Sequence, residues 1–405
     1  MKRELILIMS SSLLFGAAYK LPEQSLSGTA LSAANVASCR GADCSYYNSA
    51  NISFLEDKSY IEAGLTYIHL PSIEFEGYHN LFGQKVRADA KSRVENIVIP
   101  YFHYVSKEYG KFRYSFSLTF PGGLRKRWDA PVQKLYAQEF DLKTFQLTPS
   151  VAYRVNDNLS LSIGANIIYS EGKVVSDGSD INIPLKREME GDSIDYGFNI
   201  GAALRLDSGW KMALNYRSKT TLSEEGKANL YIGLVGKRYD ASVDIYLPAT
   251  LTFAIAKDFY NTTLEFVYER TFWSSYEYLD FNYNPPIESA TLAAVFDRPI
   301  LKDWKDTNTF RVGVKYRYSN RLTLMGGYSY DETPIPQETL SYELPDSDAH
   351  IFSTGFKYQY SSNLSFGAAI LYDYKKERRV VNDLIDGTFK EGGALLVTTG
   401  LEYRF

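Results

Sequence analysis

Beyond its amino terminus the chain has no run of the ~18 consecutive apolar residues that a membrane-crossing helix requires, so a helical membrane protein is not expected. It also lacks strong charge of either sign. Lys and Arg number 44 against 48 Asp and Glu, and a formal charge of -4 does not point to nucleic acid as a partner. There are four histidines, His69, His79, His103 and His350, and none belongs to a His-Glu-x-x-His pair. No Gly-x-Ser-x-Gly nucleophile turn is present. Scattered wall or surface histidines are therefore a better reading than an active site at His79 or His103, and neither a cofactor nor a metal is expected. Cysteine is nearly absent. Cys39 and Cys44 can pair across a short loop in an oxidising exported compartment, or remain two thiols without a role; the compartment favours the pair.

What the chain does have is aromatic residues, 33 Tyr and 23 Phe, 15% of the chain with Trp included. Amphipathic rings on that scale suit the two water boundaries of a membrane protein. The amino terminus reads as a leader: basic Met1-Lys2-Arg3, apolar Leu5 to Phe15, then small Gly16-Ala17-Ala18, with cleavage expected after Ala18. From about residue 59 onward, segments alternate with a period of two. Leu159, Leu161, Ile163, Ala165 and Ile167 share one face and Ser160, Ser162, Gly164 and Asn166 the other. Phe310, Val312, Val314 and Tyr316 oppose Arg311, Gly313, Lys315 and Arg317, and the chain ends in the same rhythm at Leu401, Tyr403 and Phe405. Such strands have one greasy and one wet face, as in a barrel with lipid outside and a polar lumen. The mean hydropathy of -0.26 agrees, because only alternate residues face lipid.

The links alternate as well. Short ones rich in Asn, Asp, Gly and Ser, such as Asn156-Asp157-Asn158 and Asp207-Ser208-Gly209, separate longer charged ones near 76–95, 121–138 and 332–348. The fold class is thus all-β: a transmembrane antiparallel β-barrel of about fourteen strands, two of them expected over 210–230 and 239–257. The domains are a signal peptide over 1–18, an amino-terminal plug or hatch over 19–58, and the barrel over 59–405. Residues 19–58 do not alternate; they could be a disordered tail, but their apolar content and cysteines favour a compact plug.

Two places depart from the pattern. Between Ile97 and Val105 both faces are apolar, which fits either a greasy pocket or packing against the plug. Candidate substrate-binding residues are Phe102 and Tyr104 on this strand, with Ile68, Ile168, Met325 and Leu396, which point inward by alternation. Then Phe120-Pro121-Gly122-Gly123 ends the third strand, as a local break in the wall or as the start of an ordinary loop. Inward basic residues such as Arg205, Lys315 or Arg317 could hold a carboxylate.

Several stretches, in order, resemble the FadL-type outer-membrane transporters of long-chain fatty acids and other hydrophobic compounds. They are Leu21-Pro22-Glu23-Gln24-Ser25, Ala30 to Ala37, Gly41-Ala42-Asp43, Tyr46 to Asn51, Thr148 to Tyr153, Leu247-Pro248-Ala249-Thr250-Leu251, Tyr330 to Pro336 and Leu344 to Asp348. The resemblance implies a fourteen-stranded barrel closed by a hatch, capture of cargo by external loops, an apolar pocket, and sideways exit through a gap made by a kink in the third strand. It gives the wall-break reading of Phe120 to Gly123 more weight. It also makes Asn48-Ser49-Ala50 a hatch turn, expected beside the third strand, with Ser49 where the family has proline. Expected partners are fatty acids or aromatic hydrocarbons, outer-membrane lipid and lipopolysaccharide, and the barrel assembly machinery, with the protein a monomer and no nucleic acid bound. The competing readings are a general polar-solute porin and an outer-membrane hydrolase.

Overall fold

The structure is a computed structural model and describes residues 18–405; apart from Ala18, the expected leader lies outside the described residues. Fourteen strands form the ring: β1 Tyr60–Leu70, β2 Glu95–Val105, β3 Phe112–Thr119, β4 Glu139–Arg154, β5 Leu159–Asp177, β6 Leu185–Arg205, β7 Trp210–Arg217, β8 Ala249–Phe259, β9 Thr262–Phe272, β10 Thr307–Arg317, β11 Leu322–Asp331, β12 Ala349–Gln359, β13 Leu364–Lys375 and β14 Gly393–Arg404. Each pairs antiparallel with the next, and β14 pairs with β1 from Leu395 opposite His69 to Arg404 opposite Tyr60. Ser59 and Phe405 then exchange backbone hydrogen bonds of 2.8 and 2.9 Å at the seam. The ring thus closes with every strand paired on both sides over at least part of its length, which removes free edge strands.

Alternation sorts the side chains as the composition requires. Leu161, Ile163, Phe198, Ile200, Leu214 and Ile370 are exposed on the outer face, whereas Ser160, Ser162, Asn199 and Asn215 are buried within. Near the short turns the outer face carries Tyr109, Phe112, Tyr153, Trp210, Phe259, Tyr260, Tyr318, Tyr360 and Phe405, all exposed. This is an aromatic girdle at one membrane boundary.

Two expected strands are each divided in the structure. The 210–230 segment breaks after Arg217, and the 239–257 segment breaks at Pro248. Proline has no N–H to donate to a ladder. The ring strands β7 and β8 pair directly with each other, and a hairpin of Thr220–Ile232 and Val235–Leu247 rises between them on the long-loop side. That hairpin pairs with the upper part of β6, from Leu185 opposite Ile232 to Asp192 opposite Glu225. Its outward residues Ser223, Glu225 and Lys227 are exposed, as are Lys173, Glu190 and Asp192 beside them. A charged outer face places this part of the wall above the hydrocarbon layer. Above it too stands a small sheet of Glu74–Leu81, Gln84–Arg87, Ala90–Lys91, Arg378–Val381 and Ile385–Lys390.

Residues 19–58 fold as a compact plug in the lumen. A short helix, Leu26–Ala30, is capped by Ser25, whose Oγ accepts from the Gly28 N–H at 2.9 Å. A turn of helix at Cys44–Tyr47 and a 3₁₀ helix at Ser49–Phe54 follow. Cys39 and Cys44 are disulfide-bonded, with Cα atoms 5.5 Å apart. The wall grips this plug with charge. Glu265 on β9 accepts from the backbone N–H groups of Val36 and Ala37, both at 2.7 Å, and of Ser38 at 3.1 Å. Arg113 on β3 donates to the carbonyls of Ile52 and Leu55 at 3.0 Å and of Glu56 at 2.8 Å. Charge-assisted bonds of this kind are the stronger class. Wall glycines make the room: a Cβ at Gly327 would lie 2.2 Å from the Leu31 carbonyl carbon, and one at Gly355 2.8 Å from the Ala30 Cβ.

Candidate functional site: a wall gap and an apolar pocket

The ladder between β2 and β3 runs over only four residue pairs, from Val105–Ser115 to Phe102–Leu118. On its other side β2 pairs with β1 over eleven, from Tyr60–Val105 to Leu70–Glu95. Above Phe102 the second and third strands therefore part. The third strand also shifts register there. Thr119 stands opposite Gln146, but Gly123 stands opposite Lys143, so three residues, Phe120, Pro121 and Gly122, face two on β4. One extra residue is a bulge, which bends a strand and interrupts its pairing. The break follows from Pro121, which offers no donor, and from the glycines after it.

The opening is framed at the top. The Arg93 N–H donates to the Arg127 carbonyl at 2.8 Å, and the Arg127 guanidinium grips Glu95 through two bonds of 2.8 and 2.5 Å. It is filled by the chain's own amino-terminal segment. Leu21 N–H donates to the Pro121 carbonyl at 2.9 Å, and Gly123 N–H to the Tyr19 carbonyl at 2.9 Å. Behind it lies an apolar cluster of Leu21, Ile68, Leu70, Ile97, Ile99, Phe120 and Leu396, with Phe145 packed against it.

Above the Tyr19–Leu21 segment a second apolar space opens under the hairpin. It holds about 660 Å³ of non-atom space, its open mouth included, and is lined by Tyr19, Leu124, Leu142, Met189, Leu279 and Phe281 among others. Tyr19 stands against a cage of Trp273 and Trp304, at ring-centroid distances of 5.0 and 5.7 Å. Lys20 ties the segment to the far wall through Glu269 at 2.5 Å, and Glu269 also meets Arg311 at 3.3 Å. The segment between pocket and gap is thus a barrier pinned at both ends.

The candidate residues fall in different places. Ile68 and Leu396 lie together in the cluster behind the gap, Ile168 is buried lower in the lumen beside Leu247, and Met325 packs on the plug near Leu26 and Ala30. Phe102 and Tyr104 correct the expectation. The buried face of β2 is Ile97, Ile99, Tyr101, His103 and Val105, so Phe102 and Tyr104 lie on the outer face, where both rings flank Phe116 at 5.6 and 5.4 Å. With both faces apolar, alternation alone could not choose; His103 and Glu95, polar yet buried on the inner face, carry the signal. The turn Asn48-Ser49-Ala50 is also elsewhere than expected. Asn48 Nδ2 donates to the carbonyls of Ala202 on β6 and Leu214 on β7, at 3.0 and 3.3 Å, and the Ser49 hydroxyl reaches Ser162 on β5 at 2.9 Å. What adjoins the break is Tyr19 to Gln24. Phe120, Pro121, Gly122 and Gly123 do form the break.

Nor are the inward basic residues free for a carboxylate. Lys315 donates to Asn35 Oδ1 at 2.7 Å and the Ser38 carbonyl at 2.9 Å, and Arg205 lies over the Phe54 ring at 4.7 Å. Arg317 donates to the Tyr260 carbonyl at 3.3 Å. His103 Nε2–H donates to the Gln24 carbonyl at 2.8 Å, which leaves Nδ1 to accept from Ser117 at 3.1 Å. His79 is buried between Tyr136, at 2.9 Å from Nε2, and Tyr342. Sequence reasoning missed the pocket lining around Tyr19, because it comes from loops and the hairpin, where no periodicity marks an inner face.

The likeness to known proteins covers this whole arrangement. A long-chain fatty acid transport protein of Escherichia coli O6:H1 is 24% identical over 336 residues, 72% of each chain. Outer membrane protein P1 of Haemophilus influenzae is 22% identical over 310 residues, 66% of this chain and 65% of that protein. Among solved structures, a Pseudomonas aeruginosa FadL homologue superposes with a TM-score of 0.84 at 20% identity, covering 96% of this chain and 99% of the other. The Ralstonia pickettii toluene transporter TbuX gives 0.71 at 15% identity, covering 94% and 98%. The profile of the outer membrane protein transport protein family (OMPP1/FadL/TodX) matches residues 7–405, and the chain belongs to that family.

Proposed function

We propose that this outer-membrane barrel takes up long-chain fatty acids or aromatic hydrocarbons, holds them in the apolar pocket beside Tyr19, and releases them sideways into the membrane between β2 and β3. The observation that carries the reading is the early end of the β2–β3 ladder at Phe102–Leu118, with an apolar cluster behind it. An apolar solute gains roughly 25 cal/mol for each Å² it removes from water, so a greasy pocket captures what a water-filled pore does not. Lateral exit then delivers it to hydrocarbon without a second passage through water. The barrier to be moved is the Tyr19–Gln24 segment, and cargo need only favour the displaced state to shift the balance toward release. The related proteins named for fatty acid and toluene transport support this cargo class.

A wide polar porin is disfavoured by a lumen packed with residues 19–58. The chain is read as a carrier without catalysis, since His79 and His103 are both engaged in holding structure. It is read as a monomer, closed on itself, inserted from an exported precursor by the barrel assembly machinery into a membrane of lipid and lipopolysaccharide. The test is uptake of labelled oleate and labelled toluene by cells lacking their own transporters, beside conductance in planar bilayers. Uptake with little steady current is expected. Large steady currents with no gain in uptake would overturn the reading.

A further inference from the structure

At the opposite end of the barrel from the Tyr19 pocket, the lumen ends in an open vestibule of about 1070 Å³ of non-atom space, its mouth included. It lies among the short turns, which face the periplasm. Arg40, Lys315, Arg317, Arg321, Lys357 and Arg404 line it, against one carboxylate, Asp258. The other carboxylates nearby are buried behind this lining. Glu265 holds the plug N–H groups, Glu402 sits between Lys357 and Arg404 at 2.9 Å from each, and Asp43 and Glu62 face Lys357 from within. Arg321, in the turn between β10 and β11, has no carboxylate partner among the described residues and is exposed. The turn does not need its guanidinium, because Ser319 Oγ accepts from the backbone N–H groups of Arg321 and Leu322 at 3.2 and 3.1 Å. Nor is positive charge general to this rim, since other short turns carry exposed Asp157 and Asp207. From the plug comes Arg40, the one exposed residue between Tyr19 and Leu55. It meets Asp258 at 2.9 Å, but Asp258 is also held by Lys211 and by the Thr263 hydroxyl, both at 2.7 Å. Arg40 can therefore turn to another anion without stranding a wall carboxylate.

We propose that this vestibule docks an acidic peptide segment of a periplasmic protein, which pairs with Arg321 on the wall and with Arg40 on the plug. Guanidinium forks match carboxylates. Cations lining a walled cleft focus their field toward the mouth and draw anions in. A single small oxyanion satisfies only part of this set, in a space far larger than itself. A chain bearing several carboxylates engages wall and plug together, and each contact raises the effective concentration for the next. A lipid headgroup does not fit the position, because the outer face at this level carries exposed Tyr318 and Tyr360, whereas the cations line the space inside the wall. The docked segment holds the plug from the periplasmic side and leaves the β2–β3 gap free. The site is independent of which cargo the upper pocket takes.

The probe is a labelled peptide of alternating Asp and Gly, with its Asn-Gly counterpart as the neutral control. Binding to the full mature barrel in a neutral detergent is read by fluorescence anisotropy at low ionic strength. The acidic peptide should bind and the neutral one should not. Arg321→Gln and Arg40→Gln should each weaken binding by about threefold, and the double variant by about tenfold. Lys237→Gln, on the hairpin at the other end of the molecule, should change nothing. All of these side chains are exposed, so each variant should run as a heat-resistant barrel. Inorganic phosphate should displace the peptide only where chloride of equal ionic strength does. Absent binding, binding that survives in the double variant, or an equal loss in Lys237→Gln would overturn the proposal. Normal binding in Arg40→Gln alone would overturn the contact to the plug. Displacement by phosphate far ahead of chloride would make the vestibule a site for small oxyanions and overturn the peptide assignment.

Discussion

The side-chain amide of Gln24 pairs with the backbone of Phe120 as a neighbouring strand would. Its Oε1 accepts from the Phe120 N–H at 2.8 Å and its Nε2 donates to the Phe120 carbonyl at 2.7 Å. Nε2 also donates to the Leu21 carbonyl at 2.9 Å, and the Gln24 carbonyl accepts from His103. A residue of the plug thus supplies the ladder bonds that β2 ceases to make where the wall opens. At roughly 1 kcal/mol net for each bond, this latch is firm enough to close the gap and weak enough to be released by a bound apolar molecule.

Removing the latch should loosen the gap without unfolding the barrel. Gln24→Ala loses all three side-chain bonds and leaves the Phe120 amide without its partner. Hydrogen exchange at Phe120 should accelerate by about tenfold or more, with amides of β10 and β11 unchanged. Equal protection at Phe120 in the two proteins would show that Gln24 does not hold the break.

The plug depends on space as well as on bonds. Gly327→Val places a branched side chain where even a Cβ would meet the Leu31 backbone at 2.2 Å. Leu31 is in the plug and cannot yield while Glu265 holds Val36 to Ser38. The variant should still form a heat-resistant barrel, because its ring pairing is intact, and should show steady conductance in planar bilayers through a displaced plug. A silent variant with normal uptake would mean that the plug adapts around the new side chain.

Much of this architecture is legible in the sequence, and the misreadings have physical causes. Leu161 against Ser162 marks the two faces of a strand because lipid and lumen demand opposite chemistry. The same logic fails at Phe102 and Tyr104, where plug and lipid are both apolar. It fails also at residues 210–257, where Arg217 and Pro248 divide two long alternating runs, and a hairpin that stands above the membrane alternates as a ring strand does. The wall break could be read from Pro121-Gly122-Gly123. Its seal could not, since Gln24 is one polar residue among many and meets Phe120 at a separation of 96 residues.

The disulfide should matter to the plug alone. Cys39 and Cys44 close a short loop beside Ala42 and Ile52, and removing such a link costs about 2 kcal/mol. Freshly purified, unreduced protein should take up no alkylating reagent. The double Cys→Ser variant should be cut by protease within residues 19–58 sooner than wild type, with the barrel fragment unaffected. Two alkylated cysteines in unreduced protein would rule the bond out.

Acid should open the extracellular sheet before it affects the ring. His79 is fully buried, and burial pushes its pKa down to about 4, against ~6.5 in an unfolded segment. The open state therefore takes up the proton more readily, so stability present above pH ~6.5 is lost progressively as pH falls toward 4. Proteolysis within 74–91 should increase over that window in wild type, and much less in His79→Gln. An unchanged acid response in the variant would assign the effect to other groups.

Lateral release between β2 and β3 is the central claim, and blocking the two alternative exits tests it most directly. Ile99→Trp and Leu21→Trp put bulk into the cluster behind the gap. Arg317→Trp and Arg321→Trp put bulk at the short-turn mouth of the lumen, where both residues line a polar vestibule with Asn320 and Lys357. The four variants are compared for heat-resistant barrel in the outer membrane and for initial uptake of labelled oleate and toluene. Uptake should fall to background in the gap variants and stay near wild type in the mouth variants, with equal amounts of folded protein. If the mouth variants abolish uptake and the gap variants retain it, cargo leaves along the barrel axis and not through the wall.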